Sequence, residues 1–290
     1  MIEVQGLTKI IKGKEILKDI TVSIQKGECL ALIGPNGAGK STLISCLLGD
    51  KKVTRGQILI QGHHPKEKKI KSSLALLQQD NTIPSNLKVT ELIAFFKAIA
   101  DNPLSDQKID DLLRFTDQQK NQLAEKLSGG QRRLLSFVLV LIGQAELLLL
   151  DEPTAGMDTS TRKRFWEIID HLKEEGKTIL YTSHYIEEVE HTADRILILH
   201  EGQLLRDTTP FALGSEEKEI TLSISYKMAL KDCPSVFNVN YKKDSLKFRT
   251  KDIEAVWDHL SRQGLTIADI QIQNKSLLDT LFDQTEGERK

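Results

Sequence analysis

The sequence predicts an α/β fold, with a small α+β appendage toward its C-terminal end. Three observations carry this expectation. Cys29-Leu30-Ala31-Leu32-Ile33 is an unbroken apolar run, followed by the glycine-rich stretch Gly34–Ser41 and an apolar stripe of helical spacing from Ser41 to Leu48. Leu147-Leu148-Leu149-Leu150 is a second apolar run, which ends in two acids and reads as a strand buried on both faces of a parallel sheet. After Pro210 the character changes: Ile220, Leu222 and Ile224 alternate, as do Phe237, Val239 and Tyr241, then Leu246 and Phe248.

In chain order, residues 1–79 show short alternating strands before and after the glycine-rich stretch. Gly34-Pro35-Asn36-Gly37-Ala38-Gly39-Lys40-Ser41 matches the phosphate-binding loop G-x-x-x-x-G-K-[ST]. Gly34, Gly37 and Gly39 let the backbone turn tightly and approach a ligand. The loop N–H groups then point inward at a polyphosphate, beside the positive end of the next helix. Lys40 reaches the β- and γ-phosphates, the Ser41 hydroxyl binds Mg²⁺, and Thr42 follows in the same turn. The plain alternative is a glycine-rich turn with no ligand, where Lys40 would have no structural purpose.

Val89 to Ile99 turns helical and Asp110 to Thr116 continues the pattern. Gln131 to Ile142 is a longer helical stretch, and Ser128-Gly129-Gly130 stands at its start. A hydroxyl and bare backbone N–H groups at a helix N-terminus form an anion site, although an ordinary helix cap has the same look. Asp151 emerges at the carboxyl end of its strand, where ligands of open α/β folds bind, and can hold Mg²⁺ through water. Glu152 can reach a water attacking the γ-phosphate. A helix runs from about Ser160 to Glu175 and closes at Gly176; a strand follows from Lys177 to Thr182. In the tail, Ile253, Val256, Trp257 and Leu260 share a helical face, and a last strand spans Leu265 to Ile272. The pattern reads as a βαββαβ-like unit.

At Leu127-Ser128-Gly129-Gly130-Gln131 the chain resembles the ATP-binding subunit of an ABC transporter, over about residues 1–213. Beside the phosphate loop and Asp151-Glu152, Ser128-Gly129-Gly130-Gln131 is similar to the family's signature and Ala155-Gly156-Met157-Asp158 to its D-loop. Gln79, followed by Asp80, is similar to the Q-loop, with Gln78 as the one-residue alternative. His184, in Thr182-Ser183-His184, resembles the switch histidine, and Asp194-Arg195-Ile196 with Gly202-Gln203 the last core strands. The resemblance implies a P-loop ABC ATPase core with an antiparallel β subdomain and a helical subdomain (about 84–140), and a separate appendage over 216–290. It implies Lys40, Gln79, Glu152 and His184 as catalytic residues. Ser41, Gln79 and Asp151 would hold Mg²⁺, and the loop, Thr42, Ser128–Gln131 and Asp158 would bind ATP. Two copies, identical or paralogous, would pack head to tail with two ATPs between them.

Two further features bear on the resemblance. The family's adenine-stacking aromatic falls on Ile11, which offers no π-face, so adenine selectivity is expected to be weak. Lys275-Ser276-Leu277-Leu278-Asp279-Thr280-Leu281-Phe282 resembles the ending of ATPases that drive export of drugs, antibiotics or ions.

The 290 residues carry a formal net charge of −1, which implies no broad attraction to nucleic acid. The Lys66–Lys71 cluster, interrupted by Glu67, reads as a solvated face. Cys29, Cys46 and Cys233 read as buried, reduced thiols of a cytosolic protein. No secretory leader is expected, because Met1 to Leu17 alternates apolar and charged residues. No segment has the apolar length of a membrane helix; the most apolar stretch, Leu134 to Leu150, is broken by Gln144 and Glu146. Of the seven histidines, His63, His64, His171, His191, His200 and His259 read as surface or packing residues. The favoured expectation is an ATPase on the inner face of the cell membrane, held there by an integral membrane subunit on another chain. The rival is an ABC ATPase without transport.

Overall fold

A computed structural model describes residues 1–80, 83–183, 186–215 and 217–274. His184 and the ending Lys275–Phe282 lie outside the described residues. The chain forms two compact units, one of Met1–Tyr185 with Thr192–Asp207, the other of Ile186–His191 with the chain from Thr208 on.

The first unit opens with β1 (Ile2–Ile11) and β2 (Lys14–Ile24), then β3 (Cys29–Ile33), α1 (Lys40–Leu47) and β4 (Arg55–Ile60). Next come α2 (Lys68–Ser73), β5 (Leu74–Leu77), α3 (Val89–Ile99), α4 (Asp106–Leu113), α5 (Asp117–Asn121), α6 (Gly129–Leu141), β6 (Leu147–Leu150), α7 (Thr159–Glu174) and β7 (Thr178–Ser183). After α8 (Ile186–Thr192), β8 (Arg195–His200) and β9 (Gln203–Thr208) complete the sheet.

A three-stranded antiparallel sheet, β2-β1-β4, alternates buried and exposed residues. Its inward Val4, Leu17, Ile20 and Ile58 share one core with Leu30 and Leu32 of β3, Leu43 and Leu47 of α1, and Leu147 and Leu149 of β6. The six-stranded sheet has the order β5-β6-β7-β3-β8-β9. β3 runs parallel to β7 and β8, and β6 parallel to β5 and β7. Both β3 and β6 are buried at every residue, as their unbroken apolar runs require. The register pairs Ile33 with Ser183, and Leu150 with Tyr181 and Leu77. The loop after β3, Asp151-Glu152 after β6 and Gln78-Gln79 after β5 therefore leave the sheet at one edge.

The helix expected over Asp110–Thr116 instead starts at Asp106. Ser105 caps it by accepting from the Lys108 N–H, and Arg114 ends it in the left-handed region, φ 50°. Thr116 caps the next short helix, α5. The long helix α6 begins two residues earlier than Gln131, because Ser128 is its N-cap.

The second unit continues with α9 (Pro210–Ser215), β10 (Lys218–Ser223), β11 (Val236–Tyr241), β12 (Ser245–Thr250), α10 (Ile253–Arg262) and β13 (Ile270–Asn274). The sheet order β11-β12-β10-β13, all antiparallel, is that of a split βαββαβ unit. Its first helix is only a 3₁₀ segment, Ile224–Leu230, so Ile224 lies beyond the strand that its alternation suggested. Ile220, Leu222, Leu246, Phe248, Val256, Leu260 and Leu265 form a separate core. The last strand starts at Ile270 rather than Leu265, which is buried in that core ahead of a 3₁₀ turn at Ile267–Asp269. On β11 the register slips between Phe237 and Asn240, beside Asn238 at φ 50°, and Val239 and Tyr241 stay exposed.

Candidate active site

The loop between β3 and α1 needs glycine for specific reasons. A Cβ at Gly34 would stand 2.0 Å from the Leu199 carbonyl oxygen, and Gly39 has φ 111° with Leu17 Cδ2 2.8 Å from where its Cβ would be. Lys40 opens α1 and is 6% exposed; its ammonium donates to the Gly34 carbonyl at 2.7 Å and the Pro35 carbonyl at 3.2 Å. Burial pulls the Lys40 pKa down, and the nearby carboxylates of Glu152 and Asp151 oppose that shift. The cation therefore sits between the loop and the two acids.

The acids are held by the neighbouring strand. The Thr182 hydroxyl donates to Asp151 Oδ1 at 2.6 Å and accepts from the Glu152 N–H at 2.8 Å. Glu152 adopts φ 44°, a left-handed conformation that costs a non-glycine residue about 1–3 kcal/mol and persists only where its surroundings enforce it. Gln79, 73 residues away in sequence, donates from Nε2 to Glu152 Oε2 at 3.1 Å. The neighbouring Gln78 contributes its backbone carbonyl instead, to Arg133.

Arg133 is a site residue that sequence reasoning missed. It lies one turn into α6, is 1% exposed, and donates to the carbonyls of Gln78, Asp151, Glu152 and Pro153. Burial pulls its pKa down to about 10, while Asp151, Asp80 and Glu152 favour the charged form. One planar guanidinium thus ties the loop after β5 to the turn after β6, a fork that lysine cannot reproduce. The available signal was weak: Arg133 precedes the apolar Leu134, Leu135, Phe137 and Val138, but Gln131, Arg132 and Ser136 lie in the same helix. Arg133→Met strands buried carbonyls, each costing about 1–3 kcal/mol. The variant is expected to lose at least about 2 kcal/mol in urea unfolding and at least about tenfold in ATP turnover. Arg133→Lys should recover little of either; wild-type turnover in Arg133→Met would refute the positioning role.

A second cluster surrounds the start of α6. The Ser128 hydroxyl accepts from the Gln131 N–H at 3.2 Å, and Gln131 Oε1 accepts from the Ser128 N–H at 3.1 Å. This is a capping box. Gly129 is exposed and Gly130 buried. A Cβ on Gly130 would meet Asp158 Oδ2 at 3.0 Å, so this glycine and Asp158 are neighbours. The Asp158 carboxylate caps α7 by accepting from the N–H groups of Ser160 and Thr161 and the Thr161 hydroxyl. These bonds, led by the one from the Ser160 hydroxyl, hold its pKa far below the usual carboxylate range. Among the described residues no hydrogen bond joins the Ser128–Gln131 cap to the Gly34–Ser41 loop.

Ile11 ends β1, half-buried, opposite Lys14 across the hairpin turn. A cleft of about 450 Å³ beside the loop is lined by Lys14, Ile16, Lys18, Asn36, Gly37 and His200 among others. Asp194 has a structural role: it accepts from the Cys29 N–H and pairs with Lys173.

The family model for ABC transporters matches residues 17–155. Nod factor export ATP-binding protein I of Rhizobium johnstonii is 33% identical over 225 residues, which cover 74% of this chain and 71% of that protein. The linearmycin resistance ATP-binding protein LnrL of Bacillus subtilis is 28% identical over 298 residues, 96% of each chain. Among solved structures, the ATP-binding subunit of an ABC transporter aligns with a TM-score of 0.65 at 26% identity, over 72% of this chain and 89% of that one. An ATP-binding cassette in a dimeric post-hydrolysis state, bound to ADP and Pi, shares the fold at a TM-score of 0.64 and 21% identity, over 72% of this chain and 99% of that one.

Proposed function

The chain belongs to the ATP-binding subunits of ABC transporters, and we propose that it powers a separate membrane-embedded exporter by closing head to tail on a second copy, or a paralogue, around two ATPs. It is an ATPase of that family. The observation that carries the proposal is the meeting of Lys40, Asp151, Glu152 and Gln79 at one edge of the sheet, with a second helix start suited to an anion at Ser128–Gly130, which among the described residues shares no hydrogen bond with the Gly34–Ser41 loop. A second site of that kind has no use for the chain's own phosphate loop and suits a nucleotide held by a partner. Export is favoured by the names of the relatives, Nod factor export and linearmycin resistance, and the second of these is similar over both units of the chain. No described helix is long and apolar enough to cross a membrane, so we assign the spans to an integral membrane subunit and place this chain on the inner face of the membrane.

Mg²⁺ fits the residues at hand. Among the described residues no cage of three or more His, Cys, Asp or Glu exists, and Mg²⁺ with a nucleotide needs only one or two protein oxygens beside phosphate and water. We assign Ser41, Asp151 and the Gln79 amide oxygen as the oxygens that would hold it; when bound it neutralises phosphate charge. Lys40, already out of water, supplies positive charge to the β- and γ-phosphates. Glu152 polarises the attacking water, with its carboxylate oriented by Gln79 and its backbone by Thr182 and Arg133. His184 is assigned to the γ-phosphate on resemblance alone. The test is turnover: the purified chain with its membrane partner should hydrolyse ATP, and Lys40→Ala should abolish this. Turnover that survives Lys40→Ala would overturn the site.

We assign Ile11 to the adenine. Base–aromatic stacking is worth roughly 1–3 kcal/mol per base in nucleic-acid sites, and isoleucine forgoes part of it. The isolated chain is expected to bind ATP weakly, to prefer it little over GTP, and to bind ATP more tightly as Ile11→Tyr. Titration of both nucleotides against both proteins decides this; a strong ATP preference unchanged by Ile11→Tyr would assign the base to another residue. We also propose 1–213 as the nucleotide-binding domain and 216–290 as a separate domain. A chain ending at Ser215 should bind ATP, and loss of binding in a folded truncation would refute that division.

A further inference from the structure

The cations of this protein are unevenly spread. Residues 51–71 hold Lys51, Lys52, Arg55, Lys66, Lys68, Lys69 and Lys71, seven of the 40 basic residues, against Glu67 alone of the 41 acids. All seven are exposed. The fold gathers them. Gly49, after α1, lies so close to Lys66 that a Cβ there would stand 2.9 Å from Lys66 Cγ, which brings Lys51 and Lys52 beside the start of α2. Lys9 joins them by donating to the Lys52 carbonyl at 2.6 Å. Two acids fall within the group, Asp50 and Glu67. Glu67 is engaged locally, accepting from the His64 N–H at 2.9 Å and facing His63 Nδ1 at 3.0 Å. Among the described residues none of the eight cations is held in an ion pair.

We propose that this lysine-rich face, formed by Lys51, Lys52 and the Lys66–Lys71 segment, docks on the anionic headgroups of a lipid bilayer. The proposal rests on the reading of the chain as a subunit that works at a membrane. Clusters of four to eight Lys or Arg are what anionic leaflets attract, and each such residue near the surface strengthens binding roughly fivefold. Seven of the eight cations are lysines, compact point charges suited to a diffuse layer of headgroups, whereas phosphate recognition in a built site favours the bidentate arginine fork. Residues 49–71 include no Phe, Tyr or Trp to stack on a base, which argues against a single-stranded nucleic acid. The face is also remote from the nucleotide. α1 runs its eight residues, about 12 Å, from Lys40 toward Gly49, and β5 leads from α2 toward Gln79. The patch lies at the opposite ends of the two elements that deliver the site residues.

The test is flotation of the full chain with vesicles of phosphatidylcholine containing about 40 mol% phosphatidylglycerol, and with pure phosphatidylcholine, at about 0.1 M and 0.5 M salt. The wild type should float with the anionic vesicles at low salt, at least about tenfold more than with neutral ones, and should be released at high salt. The combined variant Lys66→Gln, Lys68→Gln, Lys69→Gln, Lys71→Gln should lose this binding at least about tenfold and keep wild-type ATP binding and hydrolysis, which shows that it is folded. Equal flotation of wild type and variant, or no preference for anionic vesicles, would overturn the proposal. So would tighter binding of a mixed-sequence DNA duplex at the same salt, lost in the same variant. An absence of ATP turnover in the wild type with its partner would instead sink the functional reading, and leaves the vesicle result to stand or fall by itself.

Discussion

Glu152→Gln is expected to lower ATP turnover by about 10²–10⁴-fold, the usual loss when base assistance is removed, while ATP stays bound and ATP-linked dimers accumulate. The surroundings make this substitution a clean one. The Glu152 backbone N–H keeps its bond to Thr182 and its carbonyl keeps Arg133, so the left-handed turn at φ 44° is retained. A glutamine oxygen can still accept from Gln79 Nε2. Only the charge that polarises water is removed. Steady-state turnover of the purified variant with its membrane partner, together with its sedimentation with and without ATP, gives both readouts. Near-normal turnover would end the role assigned to Glu152.

Gly129→Asp is expected to abolish ATP-driven dimerisation and to leave ATP binding by the single chain intact. A Cβ at Gly129 meets nothing nearer than the Gly156 carbonyl at 3.8 Å, so the side chain has room. An acid in the first turn of α6 also suits the helix dipole, by roughly 0.3–1 kcal/mol, so the fold should not suffer. Its carboxylate would occupy the anion site itself, where a partner's phosphate is repelled. Gly130 would be a poor choice, because Asp158 and Thr161 crowd it at 3.0 and 3.3 Å and a change there confounds packing with docking. Size measurement with ATP, alongside nucleotide titration, separates the two effects. If the monomer loses ATP binding as well, the start of α6 is not acting across an interface.

Much of the architecture was legible because its signals are local. Cys29–Ile33 and Leu147–Leu150 are apolar runs bounded by Gly34 and Asp151, and both strands end where the runs end. Val89–Ile99 has a helical stripe and forms a helix over those residues. The phosphate loop is legible because glycine is demanded by backbone geometry within the loop. Boundaries failed where two caps competed: Ser105 and Thr116 both precede helices, and the left-handed Arg114 between them carries no sequence signature. Ile224 continued an alternation but fell in a 3₁₀ turn, since periodicity does not report where a strand loses its neighbour. At the candidate site, the sequence offers the residues as candidates, but not the bonds that the structure makes between them. Arg133 reaches across 55 residues to Gln78 and 20 to Pro153, and Gln79 across 73 to Glu152. Such bonds are set by strand order, which brings β5 beside β6, and no local pattern encodes them.

If each working site is shared between two chains, two inactive variants should restore activity when they are mixed. Lys40→Ala removes the phosphate-loop cation and keeps the helix start at Ser128–Gly130; Gly129→Asp does the reverse. In a mixed dimer one site pairs both lesions, and the other pairs an intact loop with an intact helix start. ATP turnover should therefore be absent in each variant alone and return when the two are mixed with the membrane partner. A mixture as inactive as its components would contradict a site built from two chains.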